Sequence, residues 1–350
     1  MTYIRLVFYP LSLLYSGILQ LRNFLYSAGV FRSKKYRIPV ICIGNLALGG
    51  AGKSPMAEYL IRLLGAEHRL AVLSRGYGRK TKGYRLVEPD DAAEDTGDEP
   101  LQFKKKYPGL TVAVCEKRVT GIDILKEAHD VVILDDAYQH RAVDAGFKLL
   151  LFDYTRLHEP QLVLPAGNLR EPFSGRARAD AIVITKTDAG MTGPDRERAL
   201  KSVKPLDGQQ VFFSYLKYGN LKPLFGGEPL ELADIMPGSR VYLLTGIANP
   251  APLYKKISSL GFPVKHYDYP DHHPFSRKNI SKLAEDFRGD KTAHKIVITT
   301  EKDVQRLMAE ELRETLNDLP VFYLAVEAEF HDSDKLRFDL LIKDYVSKHI

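Results

Sequence analysis

The feature that most narrows the possible folds is Gly49-Gly50-Ala51-Gly52-Lys53-Ser54-Pro55. It stands between an apolar run, Val40–Ile43, and a stretch of helical spacing, Met56–Leu64. Glycines at these positions let the backbone curl until successive N–H groups face one point, which suits an anion. A helix starting immediately afterwards adds the positive end of its dipole. Lys53 can then reach the β- and γ-phosphates of a nucleotide, and the Ser54 hydroxyl can sit on Mg²⁺. The order strand, glycine loop, helix therefore predicts a phosphate-binding P-loop. One departure stands out: the usual pattern G-x-x-x-x-G-K-[ST] begins with glycine, and this chain has Ala47 there.

A metal ligand is expected on a second strand. Val131-Val132-Ile133-Leu134 is a short apolar run ending in Asp135-Asp136, the form of a Walker B strand. Mg²⁺ prefers oxygen and takes one or two carboxylates, leaving its other positions to water and phosphate.

Further short apolar runs follow at Leu70–Leu73, Thr111–Val114, Leu149–Phe152 and Ala181–Ile184. Fully apolar strands alternating with helices predict a parallel sheet covered on both faces. Residues 217–237 are rich in turn formers, including Gly226-Gly227, and read as a linker or hairpin. Alternation resumes at Val241–Leu244, Lys295–Ile298 and Val321–Leu324. The expected fold is thus α/β, a P-loop NTPase-like parallel sheet flanked by helices over 38–216, with a second, smaller α/β domain over 238–350.

The first 37 residues read differently. Leu11, Leu14, Ile18, Leu21 and Leu25 recur at helical spacing, but Pro10, Ser12, Ser16 and Gly17 interrupt any bilayer-spanning stretch. The cations Arg32, Lys34, Lys35 and Arg37 follow directly. A greasy helix with cations beside it suits an anionic membrane interface; a helix packed into the core is the alternative. A net charge of +6 and a pI near 9.0 suit an acidic partner. Only Cys42 and Cys115 are present, which fits a reducing compartment.

A competing signal lies at Thr185-Lys186-Thr187-Asp188, directly after a strand. GTPases read guanine there with Asn-Lys-x-Asp, so a GTPase of the metallochaperone type stays open on these residues.

The combination of motifs resembles the tetraacyldisaccharide 4'-kinase (lipid A 4'-kinase) family. It is carried by Gly44-Asn45-Leu46 with the phosphate loop, Ser74-Arg75-Gly76-Tyr77-Gly78, Gly97-Asp98-Glu99-Pro100 and Asp135-Asp136-Ala137-Tyr138-Gln139-His140. Leu164-Pro165-Ala166-Gly167, Leu169-Arg170-Glu171, Thr245-Gly246-Ile247, Asp271-His272 and Thr300-Glu301-Lys302-Asp303 continue it. Ser54 replaces the usual Thr and Ala137 the usual Gly. The resemblance implies transfer of the ATP γ-phosphate to the 4'-hydroxyl of an acylated glucosamine disaccharide 1-phosphate, with Mg²⁺. It also implies work at the cytoplasmic face of the inner membrane, and a lipid rather than nucleic acid as partner. Residue by residue, it implies Asp98 as base with His272 as its partner, and Lys53 on the phosphates. Ser54, Asp135, Asp136 and Glu171 would serve the metal; Arg75, Tyr77, Arg118, Gln139, His140 and Arg170 would serve the substrate. From the residues alone, Asp98 reads as a helix cap, and Thr299–Asp303 likewise, so the latter stay outside the expected site.

Overall fold

The twelve strands of the protein, in a computed structural model describing residues 3–350, are β1 (Val40–Asn45), β2 (Leu70–Ser74), β3 (Arg85–Leu86), β4 (Thr111–Val114), β5 (Val131–Leu134) and β6 (Phe147–Asp153). They continue with β7 (Ala181–Thr187), β8 (Gln210–Pro223), β9 (Arg240–Thr245), β10 (Val264–Asp268), β11 (Lys295–Thr300) and β12 (Val321–Phe330). The first two residues of the expected N-terminal segment lie outside the described residues. Every apolar run named above is a strand, because β-branched and aliphatic side chains buried on both faces leave the backbone no better arrangement.

All twelve strands form one sheet in the order β10-β9-β11-β12-β8-β7-β6-β1-β5-β2-β4-β3. Pairing is parallel except at β3–β4 and β12–β8. The sheet's two halves thus meet at an antiparallel seam. That seam differs from the expectation of a linker starting at Lys217: β8 runs unbroken from Gln210 to Pro223, pairing with β7 on one side and β12 on the other. Its Lys217-Tyr218-Gly219-Asn220 composition hid a strand whose register is set by its neighbours, not by local propensity. Past it, Leu221 and Leu230 exchange backbone hydrogen bonds, closing a short hairpin.

The C-terminal helix, Asp332–Ser347, returns to the first half. Phe338, Ile342 and Val346 share a core cluster with Ile41, Ile43, Val72 and Leu149. Tyr59 donates to Asp339 at 2.6 Å, and Tyr345 Oη accepts from Val40 N at 3.1 Å. Each such buried side chain is worth about 1.5–3 kcal/mol in apolar area alone.

The N-terminal helix, Tyr9–Ser27, is turned inside out. Its polar atoms face the body: Ser12 Oγ accepts from Ala166 N at 2.9 Å, Arg22 donates to Gln139 O at 3.0 Å, and Asn23 O accepts from Arg141 at 2.6 Å. Leu11, Leu13, Leu14, Ile18, Leu21 and Phe24 are exposed. The core-helix alternative does not describe this arrangement. Among the described residues no helix is long and apolar enough to cross a membrane.

Candidate active site

The phosphate loop joins β1 to helix Lys53–Leu64, whose cap residue is Gly52. Gly49 and Gly52 stand at φ of 101° and 78°, a region that side chains with a Cβ rarely enter. Lys53 Nζ donates to Asn45 Oδ1 at 3.3 Å and lies 3.6 Å from Asp136 Oδ2. Arg170 grips the same Asp136 carboxylate, at 2.8 and 3.1 Å, and also donates to Asn45 Oδ1. Asp136 adopts φ of 45°, a left-handed backbone that aims its carboxylate at the loop. Burial raises its pKa, but Lys53, Arg170 and Arg118 outweigh that and hold it below the usual carboxylate range.

Asp135, at the end of β5, is differently placed. It is buried, accepts from Ser74 Oγ at 3.1 Å through Oδ2, and has no partner for Oδ1. Burial, with repulsion from Asp136 and Glu99, pushes its pKa up to about 6. An unpartnered buried carboxylate oxygen between two other acids calls for a cation. With Ser54 half-buried at the start of the adjoining helix, these residues fit Mg²⁺ held partly by phosphate oxygens. No group of three or more His, Cys, Asp or Glu able to hold a metal alone occurs among the described residues. Glu171, expected with the metal, has its oxygens engaged by Gln139 Nε2 and Arg178 Nη2, each at 2.9 Å. Gln139 also donates to Asn45 O at 2.8 Å, so the pair braces the wall behind β1.

The second cluster lies around Asp98, the first residue of helix Asp98–Lys106. Gly97 is the cap of that helix and Asp98 makes no capping bond. Its carboxylate instead accepts from His272 Nδ1 at 2.9 Å. Lys302 Nζ lies 3.0 Å from His272 Nε2 and can only donate. Nε2 therefore accepts, leaving Nδ1 to carry the proton that Asp98 binds. His272 holds φ of 57°, and the Tyr77 ring packs 5.2 Å from its centroid. Arg306 Nε stands 3.3 Å from Asp98 Oδ2.

Two helices from opposite halves of the chain exchange lysines here. Lys302, on helix Glu301–Leu307, reaches Glu99 at 3.0 Å; Lys106, on the Asp98 helix, reaches Glu301 at 3.0 Å and buried Glu58 at 2.7 Å. Lys302 and Arg306 were missed in the sequence. Thr300 does cap its helix, accepting from Asp303 N, but the cap reading of Thr299–Asp303 set Lys302 aside with it and did not reach Arg306. The Thr-Glu-Lys-Asp string was the signal that could have found Lys302.

Beyond Asp135 lies a set of cations. Arg118 is buried with Nε unpartnered, and Arg75 is exposed. Burial and the charges of Arg118, Arg22 and Arg75 hold His140 down to about 4. Arg22, Arg75 and Arg118 converge on His140, offset only in part by Asp135 and Asp136 near Arg118, and this positive excess suits an anion.

The chain matches the sequence family described as tetraacyldisaccharide-1-P 4'-kinase over residues 4–344. A tetraacyldisaccharide 4'-kinase of Phocaeicola vulgatus is 39% identical over 97% of this chain and 95% of its own length. That of Flavobacterium johnsoniae is 38% identical over 100% and 99%. A crystal structure of LpxK from Aquifex aeolicus in complex with ATP superposes with a TM-score of 0.74 at 31% identity, covering 98% of this chain and 99% of that one. These matches favour the kinase reading over the GTPase alternative: the chain belongs to the tetraacyldisaccharide-1-P 4'-kinase family.

Proposed function

We infer that this chain transfers the γ-phosphate of ATP to the 4'-hydroxyl of an acylated disaccharide 1-phosphate in lipid A biosynthesis. Family membership gives the reaction, and the pairing of Asp98 with His272 is the observation that supports a route for it.

Phosphoryl transfer asks the protein mainly to position the reactants and to stabilise charge. The sugar hydroxyl oxygen attacks the γ-phosphorus, ADP leaves, and the hydroxyl proton passes to Asp98. Asp98 Oδ1, which receives no hydrogen bond from any described residue, is the free position for that proton. His272 fixes the other oxygen and is itself fixed by Lys302. Lys53 and the N–H groups of the loop meet the phosphates, and Arg170 keeps Asp136 oriented. Mg²⁺ supplies charge neutralisation on the phosphate oxygens when held by Ser54, Asp135 and Asp136. The basic set of Arg22, Arg75, Arg118 and His140 receives the 1-phosphate.

The exposed leucines of helix Tyr9–Ser27, with Arg32, Lys35 and Arg37 beyond them, support seating on the anionic cytoplasmic face of the inner membrane. Lys34 is already paired with Asp123 at 2.6 Å and Lys35 more loosely with Asp144 at 3.5 Å, so these two add less than Arg32 and Arg37.

The test compares ATP and GTP turnover with and without acylated disaccharide 1-phosphate. Phosphorylation that needs both ATP and the lipid is expected; lipid-independent GTP turnover would overturn the assignment. Deleting residues 1–30 should move the protein out of the membrane fraction and cost lipid turnover while sparing ATP binding. Unchanged membrane partition would refute the seating.

A further inference from the structure

Thr185-Lys186-Thr187-Asp188 takes no part in the transfer just described, yet its first two side chains close on the back of the phosphate loop. Thr185 Oγ1 lies 2.9 Å from Ala51 O and 3.1 Å from Phe152 O, its hydroxyl hydrogen shared between them. Lys186 Nζ donates to Gly50 O and to Asp153 Oδ2, the latter at 2.8 Å. Successive residues of a strand point to opposite faces, so Thr185 and Lys186 would ordinarily diverge. Here they converge because Lys186 adopts φ of 57°, and the β7–β8 register shifts between Ile184 and Thr187. A lysine held in the left-handed region within a strand is strained, and surrounding contacts must hold it there.

The contacts are specific. Lys186 is 12% exposed and its ion-pair partner Asp153 is 8% exposed, so the charge is neutralised internally and not offered to a ligand. Asp153 is oriented in turn by Thr155, whose N and Oγ1 donate to Oδ1 at 3.0 and 2.7 Å. On the other flank Arg156 Nη1 donates to Leu48 O at 2.7 Å, and within the loop Ala51 N donates to Gly49 O at 3.1 Å. Each carbonyl from Leu48 to Ala51 thus has a donor. In a trans peptide the C=O and the following N–H point opposite ways. Holding the Ala51 carbonyl toward Thr185 therefore aims the Gly52 N–H away from it, at the helix start where the phosphates belong. A glycine-rich loop without these donors would be free to turn a carbonyl oxygen toward the phosphates, which repels them.

We propose that Lys186, supported by Asp153, and its neighbour Thr185 are positioning residues that lock the Gly50 and Ala51 carbonyls outward, respectively, and thereby set affinity for adenine nucleotide phosphates. The inference rests on reading Gly49–Ser54 as the ATP loop. It assigns this strand end a role in the phosphate site and none in reading the base.

Nucleotide titrations on the full chain test it, with Lys53→Ala as the control on the loop itself. Lys186→Met should weaken ATP and ADP by a similar factor, about 10- to 100-fold, the range of a lost hydrogen bond from a charged donor. The ATP-over-GTP preference and turnover at saturating ATP should stay within about threefold. Lys186→Arg should restore part of the affinity. Since Lys186→Met strands a buried carboxylate, Lys186→Met with Asp153→Asn should recover melting temperature and leave nucleotide binding weak. Thr185→Val tests the same loop without touching a charge, with about fivefold weakening expected. Loss of ATP with ADP intact would make Lys186 a γ-phosphate ligand, and a changed ATP-over-GTP preference would make it a base reader. Unchanged affinity for both nucleotides would make it a plain ion pair. Each of these overturns the proposal. If the unaltered chain bound no ATP, or Lys53→Ala bound it equally well, the loop reading would fail and not the clamp alone.

Discussion

At the nucleotide end of the site, Asn45, Gly49, Gly52, Lys53 and Ser54 lie within ten positions of one another, and one strand–loop–helix unit places them all. At the base end, Asp98 and His272 are 174 positions apart, and His272 and Lys302 a further 30. The first end is set by backbone: glycine dihedrals, a helix start and restrained carbonyls. The second is set by side chains bridging segments that share no local structure. An end built from backbone keeps its shape through contacts close by, whereas an end built from bridges transmits each loss along the network.

The largest expected effect belongs to the nucleotide end. Lys53→Ala should lower turnover by several orders of magnitude while the melting temperature stays near that of the unaltered protein, since this lysine stabilises charge developing in the transition state. Near-normal turnover would break the comparison at its firmer side.

Next come the bridged residues. Asp98→Ala and His272→Ala should each cost about 10²- to 10⁴-fold in kcat with ATP affinity little changed. Because they act as one unit, the double variant should be scarcely slower than the poorer single one. Multiplicative losses, or a stability defect of roughly 1 kcal/mol without a rate defect, would return Asp98 to helix capping.

Lys302→Met sharpens the contrast. It leaves every backbone element in place but frees His272 Nε2 and Glu99. About tenfold in kcat is expected, roughly 1.4 kcal/mol, with the ATP KM unmoved. A shift in ATP KM instead would mean that the two ends are not separately built.

The smallest effect is a pH slope. In the unfolded chain His140 titrates near 6.5, and in the fold it is held down to about 4 by burial and by Arg118, Arg22 and Arg75. The folded state therefore resists a proton that the unfolded state accepts. Stability from this group is complete above pH 6.5 and declines as pH falls toward 4. His140→Gln should remove about 1 kcal/mol of the loss between pH 7.5 and 5, the group being only partly buried. Parallel melting curves for both proteins across that range would refute this.

The same contrast governs what could be read in advance. The apolar runs at β1, β5, β6 and β7 and the glycine loop were legible because each fixes its own backbone. β8, β10 and the two-residue β3 were not, since neighbours impose them on mixed sequences. Asp98 and His272 were named through family resemblance; on its own residues Asp98 reads as a cap, and only the fold gives its carboxylate to a histidine. Lys302 and Arg306 stayed hidden because a lysine on a helix is ordinarily a solvated charge, and only proximity to His272 and Asp98 distinguishes them. The left-handed backbones at Asp136, Lys186 and His272 were equally invisible, since none is glycine.

The return of helix Asp332–Ser347 to the first half has a consequence for the chain's birth. A ribosome delivers the loop, both aspartates and Asp98 long before it delivers Phe338, Ile342 and Val346, which complete the core beneath β1. The core of the nucleotide half therefore keeps apolar surface open until Phe338, Ile342 and Val346 have emerged, which works against folding half by half from the N-terminus.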